Sequence, residues 1–309
     1  MKTMLVLSMG ALLLAGTLSA QTPVPEWQAG VDKMKSLIQT NPAQASEEVG
    51  ELLKGKNKKN VDLVTSVAHV YLDAGKLTEA QEYLAMAKKA NNKDPKVSVL
   101  EGDIALAQKN IGQACQLYEQ AIYFDPNCKE AYLKYAQAYK SASPALAIEK
   151  LEQLKAVDPN CLEADRELAE VYYSSNRFGK AAEMYAKFID TPLATEDDML
   201  KYAFALFLNH DFEKSLQVAQ KGLQKNARHA AFNRLVMYNN TDLKRYEDAE
   251  KAAHAFFNAS DRADYSYLDY RYYGALLSAL KKYDEAIIEY GKALEKDGTQ
   301  VDLWREISD

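Results

Sequence analysis

Four histidines, His69, His210, His229 and His254, are the side chains of this 309-residue chain best suited to bind a metal or move a proton. They are scattered, and none belongs to an HExxH pair, in which two imidazoles one helical turn apart hold zinc beside a basic carboxylate. Placed singly in helical stretches, they read as solvated or hydrogen-bonded structural residues. Cys115, Cys128 and Cys161 form no CxxC pair and have no histidine at metal spacing. The chain also lacks GxSxG, a Walker loop and GxGxxG, so neither an esterase elbow nor a phosphate cradle is present. The acidic run Glu196-Asp197-Asp198 reads as a helix start, where the macrodipole favours negative charge. These absences predict a chain that is not an enzyme and takes no cofactor and no metal. A net charge of −6 argues against nucleic-acid binding, which rests on basic surface; Lys54 to Lys59 is only a short basic loop.

The elements that would position any site are helical. Gly and Pro number 13 and 8, well under the usual combined share of about 12%. So little turn punctuation disfavours a many-stranded sheet, and no segment alternates with period two. Small residues recur at Ala80, Ala114, Ala147, Ala181, Ser215, Ala249 and Ala286, at intervals of 33 to 37. Four residues after each come Leu84, Tyr118, Leu151, Tyr185, Ala219, Ala253 and Tyr290. Three further on come Ala87, Ala121, Leu154, Phe188, Gly222, Phe256 and Ala293. Spacings of four and three place these residues on one helix face, where small side chains admit a second helix closely. Twelve residues before each marker a second helical stretch carries its own small or apolar residue, such as Ala68, Gly102, Ala169 and Gly274. Each unit is thus a helix, a turn and a helix. Asp94-Pro95, Asp125-Pro126, Asp158-Pro159 and Thr191-Pro192 mark the unit boundaries, with Asp or Thr expected to cap the new helix and Pro to open it. Cys128 and Cys161 both follow Asp-Pro-Asn, 33 residues apart. Equivalent points on stacked helices stand about 9–10 Å apart, too far for a disulfide.

These residues resemble the tetratricopeptide repeat family, whose first helix carries an aromatic, Leu-Gly and Tyr, and whose second carries Ala, an aromatic and Pro. One copy has Tyr270, Tyr273, Gly274 and Leu277, then Ala286 and Tyr290; another has Tyr132, Tyr135, Ala136 and Tyr139, then Ala147, Leu151 and Pro159. The match runs from about Val61 to Gly298. Asp94-Pro95 arrives three residues late for the pattern, and Asn240 stands where Tyr is expected. The resemblance implies an all-α fold, a right-handed α-solenoid of stacked antiparallel helix pairs, with about seven repeats over 61–300. Residues 21–60 read as a degenerate helix pair or cap, broken at Asn41-Pro42. Residues 301–309 read as the start of a capping helix or of a further repeat, with Trp304 in the aromatic place.

In this family the first helices line a concave groove that holds a peptide or a partner segment. Matching this chain to those places gives Arg166, Arg234 and Arg271 at one equivalent position, with Tyr173, Phe204, Tyr238 and Tyr272 nearby. Arginine grips carboxylates with two parallel hydrogen bonds, and aromatics give contact area at low entropy cost. The other reading has the arginines solvated or paired across repeats with Glu, and places the aromatics in the inter-repeat core. The places of the family's chaperone-tail clamp hold Thr65, His69, Val99, Asp103, Leu133 and Gln137, so that specialised function is not implied.

At the N-terminus Met1-Lys2, the apolar run Met4 to Leu14 and the small stretch Ala15 to Ala20 have the layout of a signal peptide cleaved after Ala20. Thr17 stands where a lipoprotein box would need Cys, so no lipid is expected. Cleavage would remove only Lys2 among the charged residues and leave a net charge of −7. The sequence therefore predicts an exported, soluble, periplasmic or extracellular scaffold without a membrane span, binding an extended peptide or envelope protein. The alternatives are a glycan- or small-ligand-binding module, suggested by Tyr265, Tyr267, Tyr270, Tyr272 and Tyr273, and the accessory region of a longer protein whose active part lies beyond Asp309.

Overall fold

The computed structural model describes residues 24–259, 265–300 and 303. The proposed signal peptide and nearly all of 301–309 lie outside them. The chain divides into two compact units, one ending at Asn91 and one beginning at Asn92. All regular structure among the described residues is helical.

The first unit contains α1 (Gln28–Leu37), α2 (Pro42–Leu52), α3 (Val61–Asp73) and α4 (Leu77–Asn91), packed as the pairs α1–α2 and α3–α4, with α1 also against α3. Asn41 opens α2 by accepting a bond from the Gln44 amide at 3.2 Å, with Pro42 next to it. Asn60 opens α3 in the same way through Leu63 N–H. Met34, Ala45, Leu63, Val67, Ala68, Ala80 and Ala87 form its buried interior.

The second unit holds twelve helices among its described residues: α5 (Pro95–Ala107), α6 (Ile111–Phe124), α7 (Lys129–Tyr139), α8 (Pro144–Val157), α9 (Leu162–Ser174), α10 (Phe178–Phe188), α11 (Glu196–Leu208), α12 (Phe212–Lys225), α13 (Ala230–Asp242), α14 (Tyr246–Ala259), α15 (Tyr267–Ala279) and α16 (Tyr283–Lys296). Each odd helix pairs with the even helix after it, and each even helix packs on the next odd one. Odd helices also touch odd helices: α5 with α7, α7 with α9, α11 with α13, and α13 with α15. This is a solenoid of stacked helix pairs.

The 34-residue pattern has a direct physical cause. All seven small markers from Ala80 to Ala286 are buried, and so are the residues four and seven positions after each. Where the marker is Ser215, its hydroxyl donates to Ala203 O and accepts from Asn239 Nδ2, both at 2.8 Å, so the polar atom is satisfied inside the stack. Gly102 and Gly274 occupy one repeat place. A Cβ on either would stand within 2.6 Å of a ring, Tyr118 in the first case and Tyr290 in the second.

Six of the turns within helix pairs use a left-handed residue. It is Gly75 in one repeat, but Lys109, Asn176, His210, Lys244 and Lys281 in others, at φ of 57–63°. L-residues disfavour this region, so these five turns hold mild strain.

The repeat boundaries differ from the sequence expectation. Asp94-Pro95 does cap and open α5, with Asp94 accepting from Lys96 N–H at 3.0 Å. At Asp125-Pro126 and Asp158-Pro159 the helix begins three residues later, after Cys128 and Cys161. There the Asp carboxylate accepts from the amide two residues on, Asn127 at 2.9 Å and Asn160 at 3.2 Å, which makes a tight Asx turn instead of a cap. After Thr191-Pro192 the helix waits for Thr195. The late arrival of Asp94-Pro95 is thus a different use of the same dipeptide. Both cysteines sit at helix starts and, like Cys115, carry free thiols; burial raises all three, Cys115 to about 11.

Candidate functional site

The three arginines all occupy the fifth residue of an odd helix: Arg166 in α9, Arg234 in α13 and Arg271 in α15. Arg166 grips Asp198, the third residue of α11, with Nε to Oδ1 at 3.0 Å and Nη2 to Oδ2 at 3.0 Å. Asp198 is 1% exposed and also accepts from Thr195, at 2.8 Å from the amide and 2.6 Å from the hydroxyl, closing a capping box. Arg234 repeats the arrangement on Asp269, the third residue of α15. Its Nη2 donates to Oδ2 at 3.2 Å, while Nε lies 2.8 Å from Oδ1 as an ion-pair contact outside hydrogen-bonding geometry. Asp269 is fully buried, and Ser266 completes its capping box. Tyr238 adds its hydroxyl to Asp269 Oδ1 at 2.6 Å. Burial, and then the Asp269 charge, pushes the Tyr238 hydroxyl well above its ordinary value. The Arg234 guanidinium also lies 4.9 Å from the Phe256 ring centre, an attractive cation–ring contact.

Arg166 and Arg234 therefore fasten one repeat to the next, and their partner is Asp rather than the expected Glu. Tyr238, 1% exposed, belongs to the packing between helices. Its ring stacks on Tyr272 at 4.2 Å and meets Phe207 at 5.4 Å, so one aromatic cluster joins α11, α13 and α15. Tyr173 is half-buried and sets its ring edgewise on Phe178; Phe204 is half-buried beside the Met199–Phe232 core.

Arg271 is placed differently. It lines a cavity of about 620 Å³ with Tyr272 and Ala275, together with Thr241, Asp242 and Tyr283. Tyr272 donates its hydroxyl to Asp242 Oδ2 at 2.8 Å. Burial raises the Asp242 carboxyl above the usual carboxylate range, opposed by that hydrogen bond and by the charges of His210 and Arg271. Among the seven residues expected at the site, Arg271 and Tyr272 share the cavity and Tyr238 stacks on Tyr272; Arg234 is engaged with Asp269, and Arg166, Tyr173 and Phe204 lie on other turns of the array. The two Asp partners escaped sequence reasoning, although Thr195-x-x-Asp198 and Ser266-x-x-Asp269 carry the capping-box spacing that could have flagged them.

Comparison with known proteins adds a sequence-level match. The tetratricopeptide repeat family model matches residues 68–127 and 137–193, across helix pairs with the alternation just described. Over those residues the chain carries tetratricopeptide repeats. Two solved structures share its fold. One is the C-terminal part of a tetratricopeptide repeat-containing protein from Cytophaga hutchinsonii, at TM-score 0.57 and 18% identity, over 76% of this chain and 96% of that one. The other is PilF of Pseudomonas aeruginosa, at TM-score 0.53 and 15% identity, over 66% of this chain and 93% of that one. No curated protein matches the chain. Tetratricopeptide repeat arrays present extended inner surfaces to other proteins, which suggests a protein–protein interaction scaffold. No described helix is long and apolar enough to cross a membrane.

Proposed function

We propose that this repeat protein is an exported, non-catalytic scaffold that binds an extended segment of a partner protein along its odd-numbered helices. The observation that supports this reading best is the cavity where Arg271, Tyr272 and Ala275 of α15 meet Thr241 and Asp242 of α13 and the rings of Tyr283 and Tyr290 on α16. Such groups are the ones that dominate protein interfaces. The N-terminal pattern ending at Ala20 supports export to the periplasm or beyond. Capture from an envelope extract tests the reading: an Arg271→Glu variant loses a stoichiometric protein that the unaltered chain retains. Equal capture by both chains would sink the assignment of this surface.

A second reading, glycan binding, draws on a cavity of about 420 Å³ lined by Phe257, Tyr265, Tyr270, Tyr273, Glu289 and Lys292, since aromatic faces stack on sugar rings. A silent glycan array beside a positive protein capture removes it.

A further inference from the structure

Because the helix pairs of the second unit stack in one order, the turns inside them stand along one edge, and they fall into two groups of three. The turns α5–α6, α7–α8 and α9–α10 carry Lys109, Lys140, Arg177 and Lys180 without an acid. None stands between Asp103 and Glu119, between Glu130 and Glu149 or between Glu170 and Glu183. The next three turns bring acids of their own. There Lys214 reaches Asp211 at 3.0 Å, while Arg245 reaches Glu213 and Lys282 reaches Glu250, both at 2.6 Å. Lysines placed between repeats are paired as well, Lys134 with Asp103 and Lys201 with Glu170. The four cations of the first group are exposed, and among the described residues none of them meets a carboxylate. Lys180 lies over the Tyr172 ring at 5.5 Å. Aliphatic side chains surface on the same edge, where Leu106, Ile111, Leu146 and Leu208 are exposed. Between the α9–α10 turn and the end of α11 lies a cavity of about 440 Å³, lined by Arg177, Lys180, Phe178 and Leu208 with Asn176 and Asn209. A Cβ on Gly179 would stand 2.9 Å from Asn209 Oδ1, so the bare glycine is what lets that carboxamide reach the start of α10.

We propose that this edge, from Lys109 to Leu208, binds an extended acidic segment of a partner protein with aliphatic residues between its acids. Stacked pairs repeat about every 10 Å, roughly three residues of an extended chain, so a carboxylate at every third position meets one cation per repeat. Each exposed pair contributes little alone, and a row of them in register adds up. The aliphatic residues of the segment cover Leu106, Ile111 and Leu146, and one enters the cavity over Phe178 and Leu208. Asn176 and Asn209 offer donors and acceptors there that suit a peptide backbone, which a lipid surface does not have. This edge is separate from the surface lined by Arg271, and each assignment stands or falls without the other.

The test uses the full chain and three fluorescein-labelled dodecapeptide pools with blocked ends, otherwise built from Gly, Ser and Thr. The first carries Glu at every third position and Leu between, the second Gln in place of Glu, and the third Ser in place of Leu. Fluorescence anisotropy at low salt should show the first pool binding about tenfold more tightly than the second, a difference lost in high salt as exposed charges are screened. Combining Lys109→Gln, Lys140→Gln, Arg177→Gln and Lys180→Gln should make the first two pools bind alike, with an unchanged melting curve confirming the fold. Arg177→Gln alone should narrow the difference. Leu208→Ser should remove the advantage of the first pool over the third, and Arg271→Gln should leave every difference in place. Equal binding of the first two pools, or a difference that survives the four combined substitutions, overturns the proposal. Flotation with phosphatidylglycerol vesicles that those substitutions abolish, with no pool bound, overturns it in favour of a lipid surface.

Discussion

The turn of the array around Arg234 and the turn around Arg271 are built from the same helix positions and end differently. At Arg234 the guanidinium, the Tyr238 hydroxyl and a fully buried Asp269 close on one another. At Arg271 the ring four residues on is replaced by Ala275 and a cavity takes its place. The two turns differ in two places of the repeated set: Ala275 stands where the earlier turn has Tyr238, and Leu303 where it has Asp269. Position within the repeat fixes what a residue can reach; its neighbours decide whether it is used inside or outside.

Arginine-to-alanine substitution at the three equivalent places is the sharpest way to break this comparison. Arg234→Ala leaves Asp269 buried without its cation and should cost about 3–5 kcal/mol, read by urea unfolding and by lost amide protection in α13 and α15. Arg166 has a side chain 36% exposed against 25% for Arg234, so water partly replaces it at Asp198. Arg166→Ala should then cost about 1–3 kcal/mol in the same titration. Gly274→Ala drives a methyl group into the Tyr290 ring and should cost roughly 1–3 kcal/mol by overpacking. Arg271→Ala should weaken partner capture, read by pull-down from an envelope extract, with its unfolding titration set beside those of Arg234→Ala and Arg166→Ala. A large destabilisation there would show that Arg271 is a fastening like the others. In the opposite direction, Lys109→Gly relieves a left-handed lysine and should raise stability by roughly 0.5–1 kcal/mol.

Much of the fold was legible in the sequence because its cause is periodic. One small residue recurs where helices approach most closely, and every marker from Ala80 to Ala286 is buried. The boundaries were less legible. Asp-Pro serves equally as a cap at Asp94 and as a turn at Asp125 and Asp158, and only the following residues decide between them. The candidate site was read half-way. Spacing found the three equivalent arginines but not their fates, because the deciding residues lie 32 and 35 positions away at Asp198 and Asp269. The aromatics divided likewise. Tyr238 and Phe207 went to packing, and Tyr272 both stacks on Tyr238 and lines the cavity.

The contact between Gly102 and the Tyr118 ring recurs five helix pairs later as Gly274 against Tyr290. Each glycine is acceptable only with its ring, and each ring only with its glycine. In descendants of this chain the two sites should drift as a couple: a methyl gained on one helix calls for a smaller side chain on its neighbour. Such pairs would trace ancestry among repeats within a single molecule, where the surrounding exposed residues have changed too freely to keep a record.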